Sequence, residues 1–131
     1  MNLNLRHYLM TIPERRVFDK IKNNLSDKYT VFPQICLRSI LADDFQENIS
    51  AKWFIVDYLV CKMPYYEPFA IIELDDFTHG KEERIKRDLE LDELLDRLNI
   101  PILHLMGVSS KVLDDNLNFQ LDMILEGFNS P

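Results

Sequence analysis

Glycine is scarce in this chain: three among 131 residues, alongside six prolines. So few chain breakers leave little room for flexible linkers, and no repeat or low-complexity tract is present. Cysteine is equally sparse. Cys36 and Cys61 stand far apart, without the CxxC spacing of a zinc site, and each lies in an apolar run. That placement predicts buried, reduced thiols in a cytosolic protein rather than a disulfide framework. No apolar stretch approaches the roughly 20 residues of a membrane span, and Met1 to His7 lacks the apolar run of a signal peptide. The expectation is a cytoplasmic protein with no membrane partner. Basic residues are in deficit too: 15 Lys and Arg face 22 Asp and Glu, a net charge of −7. Proteins that grip nucleic acid along a broad track carry a basic surplus. The balance argues against a tight, non-specific binder, while a local basic patch or a bound cation still permits contact with phosphates.

What is present is an ordinary core composition, 47% hydrophobic. It suits one domain over 1–131, with its core at about 11–126. Thr11, Pro13 and Glu14 predict a helix start, with Thr11 as N-cap, Pro13 in the first turn and Glu14 completing a capping box. Val17, Phe18, Ile21 and Leu25 then recur at helical spacing as a core face. Tyr29 to Leu37 reads as a strand, and Pro33 marks it as an edge strand or a bulge. Residues 39–50 read as a loop with one helical turn. Trp53 to Cys61 is nearly continuously apolar, as a central strand should be, and Phe69 to Asp75 is the next strand. The short connection between them predicts an antiparallel hairpin.

Gly80 to Leu98 reads as a helix whose apolar stripe begins at Ile85 and Leu89 and continues through Leu91, Leu94, Leu95 and Leu98. Asn99 and Pro101 end it. Ile102 to Met106 is a short strand that a right-handed crossover should lay parallel to a neighbour. Ser109 or Ser110 then caps a last helix with Leu113, Leu117, Leu121, Ile124 and Leu125 inward, stopping near Gly127. The expected fold is α/β (α+β): a mixed sheet in the order α-β-β-β-α-β-α with helices packed on it.

The chemistry concentrates in three acids. Asp57 sits mid-strand among hydrophobic residues, where an unpartnered carboxylate costs several kcal/mol. It needs a cation, a donor network or a raised pKa. If the hairpin turn centres on Tyr65, Asp57 and Glu73 face each other across the strands. Alternation puts Asp75 on the same face as Glu73. Three converging acids repel unless a positive charge lies among them, and neither strand carries one beside them. One answer is a hard divalent cation, Mg²⁺ or Mn²⁺, held by Asp57, Glu73 and Asp75. The other is an ion-pair cluster, with Lys81, Arg84 and Arg87 folding back from the following helix.

The series Lys52, Asp57 and Tyr58, then Ile72, Glu73, Leu74, Asp75, Asp76 and His79, then Arg84, Arg87 and Asp88, then Asn99 to Leu103, resembles a bacterial family, domain of unknown function 2726. That family is grouped with the restriction-endonuclease-like PD-(D/E)xK nuclease superfamily and is similar to the very short patch repair endonucleases. The resemblance runs from about Thr11 to Met106. It implies a restriction-endonuclease-like sheet in a DNA-processing enzyme, with Asp57 as the metal-binding aspartate and Glu73 as the second acid. Glu14 matches the first-helix acid of some members, a role that competes with its capping box. One position departs from the pattern: Asp75 stands where the superfamily usually carries a Lys. Either Asp75 joins the metal shell, or Lys81, Arg84 or Arg87 substitutes for that Lys, or catalysis is lost.

The function so implied is metal-dependent phosphodiester hydrolysis on nucleic acid, DNA ahead of RNA. The alternative is a catalytically silent member of the fold that binds nucleic acid or a protein partner. His79 is a candidate general acid or base, or else a hydrogen-bonded loop residue. The helix start at Gly80, with Lys81, offers a phosphate contact. His104 is expected to alternate into the core or onto the opposite face as a structural residue. Trp53, Tyr65 and Tyr66 are expected to pack, with base stacking as the other reading.

Overall fold

Thr11 and Glu14 cap each other's backbones. The Glu14 N–H donates to Thr11 Oγ1 at 3.3 Å and the Thr11 N–H donates to Glu14 Oε1 at 2.7 Å. This capping box opens α1 (Ile12–Asn24), whose Val17 and Ile21 are fully buried with Phe18 and Leu25 packed beside them. The computed structural model describes residues 2–42, 49–75, 81–106 and 115–130, with the side chain of Lys81 excepted. The expectations for His79, Gly80, Ser109, Ser110, Leu113 and residues 43–48 of the 39–50 loop fall outside the described residues.

The elements that follow are β1 (Tyr29–Cys36), β2 (Ile55–Lys62), β3 (Glu67–Asp75), α2 (Lys81–Arg97), β4 (Ile102–Met106) and α3 (Asp115–Asn129). The strands lie in the order β1-β2-β3-β4, with the first two pairings antiparallel and β4 parallel to β3. The mixed α/β architecture and its element order are those expected. Pro33 sits on β1, an edge strand, where its missing donor is tolerated.

Two short 3₁₀ turns correct the strand boundaries. Leu37 opens the first (Leu37–Ile40) rather than ending β1. Trp53 ends the second (Ser50–Trp53), because the Phe54 N–H closes the turn on the Ala51 carbonyl at 3.0 Å, so β2 starts two residues later than expected.

Successive residues of the inner strands feed two cores. Tyr58, Val60, Ala70 and Ile72 join α1 and α3, where Leu117, Leu121, Leu125 and Phe128 are buried. Leu59, Cys61 and Ile71 join Leu91, Leu94 and Leu95 of α2, together with Leu37 and Ala51 from the 3₁₀ turns. A sheet covered on both faces explains the unbroken apolar run of β2.

The α2 stripe begins later than its periodicity suggested. Ile85 and Leu89 are 58% and 65% exposed, and burial starts at Leu91. The inward helical positions before Leu91 are Arg84, Arg87 and Asp88, because the first turns of α2 lie over the acidic end of the sheet.

Candidate functional site

The site grows from the point where the β2–β3 ladder stops. Val60, Leu59 and Tyr58 pair with Ala70, Ile71 and Ile72 in the register expected for the hairpin, although that register shifts by one residue nearer the turn. The next step would set Asp57 opposite Glu73. There the carboxylates take over the acceptor role of opposing carbonyls. The Asp57 N–H donates to Glu73 Oε2 at 2.9 Å, and the Leu74 N–H donates to Asp57 Oδ2 at 2.8 Å. Each acid thus clips its own strand to the other.

The neighbouring strand is irregular at the same level. β1 pairs with β2 at Pro33↔Tyr58 and Ile35↔Val56, and Gln34 between them is left-handed, with φ of 55°. A non-glycine residue there costs about 1–2 kcal/mol. The Gln34 amide donates to Glu14 Oε2 at 3.0 Å, so the α1 cap and the sheet irregularity are linked. Glu14 therefore keeps both carboxylate oxygens occupied, one by its cap and one by Gln34. It still lies close enough to act electrostatically on Asp57. Its backbone carbonyl accepts the Tyr58 hydroxyl at 2.6 Å, and burial pushes the Tyr58 pKa upward.

Glu73 is buried, 5% exposed, and Asp57 is half-buried. Burial, a hydrogen bond with the Glu73 carboxyl and the charge of Glu73 push Asp57 from its ordinary 3.8 up to about 8, against the opposing pull of the Leu74 N–H. That shift favours the protonated Asp57 carboxyl at neutral pH.

Two guanidiniums reach the same cluster from α2. Arg87 Nη2 lies 3.2 Å from Glu73 Oε1 and also donates to the Ile55 carbonyl at 3.1 Å, with its guanidinium over the Phe54 ring. Arg84 Nη2 lies 2.7 Å from Asp75 Oδ1. Both arginines also face Asp88. Among the described residues, Asp57, Glu73, Asp75 and Asp88 stand against these two cations.

His104 corrects the expectation of a structural residue turned elsewhere. In the parallel register it pairs with Glu73, which places both on one face, and its Nδ1 lies 2.7 Å from Asp75 Oδ2. The sequence held no signal for this, because the offset between parallel strands depends on how α2 crosses over. Gln34 was missed as well. Its only trace was Pro33, which marked a disturbed strand without saying where.

The expected acids therefore gather in two parts. Asp57 and Glu73 are in direct contact, whereas Asp75 is directed to Arg84 and His104. Among the described residues, no group of three His, Cys, Asp or Glu side chains is placed to hold a metal ion. The Asp57–Glu73 pair nevertheless suits a hard cation by its donors. Its oxygens are hard donors on two neighbouring strands, and the upward shift at Asp57 marks a point where positive charge would favour the ionised carboxylate. Metal binding displaces the proton of such a carboxyl.

No described helix is long and apolar enough to cross a membrane. No curated protein and no solved structure matches the chain. Residues 6–122, which include every acid and base of this cluster, match the family described as Protein of unknown function (DUF2726), and the chain belongs to that family.

Proposed function

We propose that this protein is a divalent-metal-dependent phosphodiester hydrolase acting on nucleic acid, DNA ahead of RNA, with Asp57 and Glu73 holding Mg²⁺ or Mn²⁺. The observation that carries this reading is the carboxyl pair at the end of the β2–β3 ladder, where Asp57 meets Glu73, Arg87 contacts Glu73 alone and no described cation contacts Asp57. The acid on a second strand, the acid on the next, and a first-helix acid nearby also fit the resemblance to the PD-(D/E)xK nucleases.

A cation held by Asp57 and Glu73 would supply Lewis-acid activation of the phosphodiester and of the attacking water. The chain's own residues supply the remainder. Arg84 and Arg87 stand at the rim, 27% and 34% exposed, and present guanidinium donors to phosphate oxygens in place of the usual Lys. Asp75 acts as an anchor that orients Arg84 and His104 rather than as a third ligand. Loss of its Arg84 contact would free that guanidinium without emptying the carboxyl pair.

A second reading is a catalytically silent module with an ion-pair knot, favoured by the Arg84–Asp75 and Arg87–Glu73 contacts. Cleavage of plasmid and single-stranded DNA with Mg²⁺ or Mn²⁺ separates the two. Cleavage by the wild type that both Asp57→Ala and Glu73→Ala abolish supports the hydrolase. Equal traces from all three proteins, with folding confirmed by circular dichroism, leave the silent module.

A further inference from the structure

Beside the carboxyl pair runs a strip in which aromatic rings and cations alternate. Trp53, the only tryptophan in the chain, is 63% exposed at the end of a 3₁₀ turn, and Lys52 Nζ lies 5.4 Å from its ring centroid. Phe54 follows, with the Arg87 guanidinium 5.2 Å from its ring centroid, and Arg87 reaches Glu73. Ile55 comes next and is 55% exposed. Two ring–cation pairs thus adjoin in sequence, Lys52 with Trp53 and Arg87 with Phe54, and the second of them touches the carboxyl pair.

We propose that this strip is a stacking platform that binds single-stranded nucleic acid, with an unpaired base on Trp53 and flanking phosphates on Lys52 and Arg87. The inference rests on the nucleic-acid reading of the site and narrows it to unpaired substrate. The face of a base is open to an indole ring only when the base is unpaired or splayed, since a duplex fills both faces with its neighbours. Stacking contributes about 1–3 kcal/mol per base and needs no surplus of positive charge. That suits a chain of net charge −7, which has no basic surplus to grip a duplex backbone. Other exposed apolar regions, around Leu3, Leu5, Tyr8 and Leu9 and around Phe32, Tyr65, Tyr66 and Phe69, show no ring in contact with Arg84 or Arg87 among the described residues.

Because Trp53 is the sole tryptophan, its emission reports on the platform directly. The experiment titrates the protein in EDTA with an oligothymidine strand, and in parallel with a blunt duplex, following fluorescence quenching and anisotropy of a labelled strand. Quenching by the single strand but not the duplex is expected. Trp53→Ala should weaken single-strand binding about 5- to 160-fold with an unchanged melting temperature. Two phosphate contacts predict a salt slope of about −1.4 in log K against log[salt]. Binding without quenching, equal affinity for the duplex, or an unaffected Trp53→Ala variant would overturn the platform. Absence of any binding overturns it equally. Quenching by a protein that does not cleave leaves the platform standing and removes only the hydrolase.

Discussion

Raising the pH should weaken the metal-free protein through one side chain. Asp57 moves from an ordinary 3.8 to about 8 on folding, so the folded state holds a proton that the unfolded state has released throughout that window. A raised folded pKa contributes stability that is complete below about pH 4 and lost as pH rises through about 8. At about 1.4 kcal/mol for each pH unit, the displacement sets a ceiling of about 6 kcal/mol. Partial exposure of the carboxyl and local relaxation reduce this to about 2–3 kcal/mol. Asp57→Asn keeps an oxygen acceptor for the Leu74 N–H while removing the titrating group. The variant should therefore match the wild type at about pH 4 and exceed it by about 2–3 kcal/mol at about pH 9. For a domain of this size that is about 6–12 °C in melting temperature. The assay is thermal unfolding by circular dichroism across this pH range in EDTA. Curves for wild type and Asp57→Asn that run parallel from about pH 4 to 9 would refute the argument, because Asp57 would then carry no proton of its own.

Other expectations follow from the same contacts. Calorimetry of Mn²⁺ binding at about pH 7, in buffers of different ionisation enthalpy, should show release of about one proton, absent in Asp57→Asn. Arg87→Leu removes the guanidinium beside a carboxylate that is 5% exposed, and should destabilise the protein by about 1–3 kcal/mol in urea unfolding, less than a fully buried pair because Arg87 itself is 34% exposed. Tyr58→Phe breaks the 2.6 Å bond to the Glu14 carbonyl, and a loss of about 1 kcal/mol by the same measurement is expected.

Local chemistry made much of the fold legible. The capping box at Thr11 and Glu14 appears where the sequence placed it, because a cap is formed by residues a few positions apart. Ile102–Met106 has the expected strand limits and lies parallel to β3, since a helix as long as α2 constrains the return of the chain. Residues that owe their state to neighbours distant in sequence were less readable. Ile85 and Leu89 look like core by spacing alone, but the turn they occupy lies over Glu73 and Asp75, where the chain turns arginines inward instead. Trp53 looks like strand and is a 3₁₀ residue, because the Phe54 N–H finds a local carbonyl first.

The sequence by itself put Asp57 and Glu73 opposite each other only for a turn centred on Tyr65. The pairs nearest the turn, Cys61↔Pro68 and Lys62↔Glu67, are offset by one, and the register shift between Val60 and Cys61 is what brings the two acids together. Only the tertiary structure decided what surrounds them. Arg87 and Arg84 arrive from a helix packed across the sheet, His104 from a parallel strand whose offset that helix sets, and Glu14 through the strained Gln34 on the far side. Side chains brought together by packing carry no mark of their partners in the chain, because the distances that fix their charges exist only after the layers close.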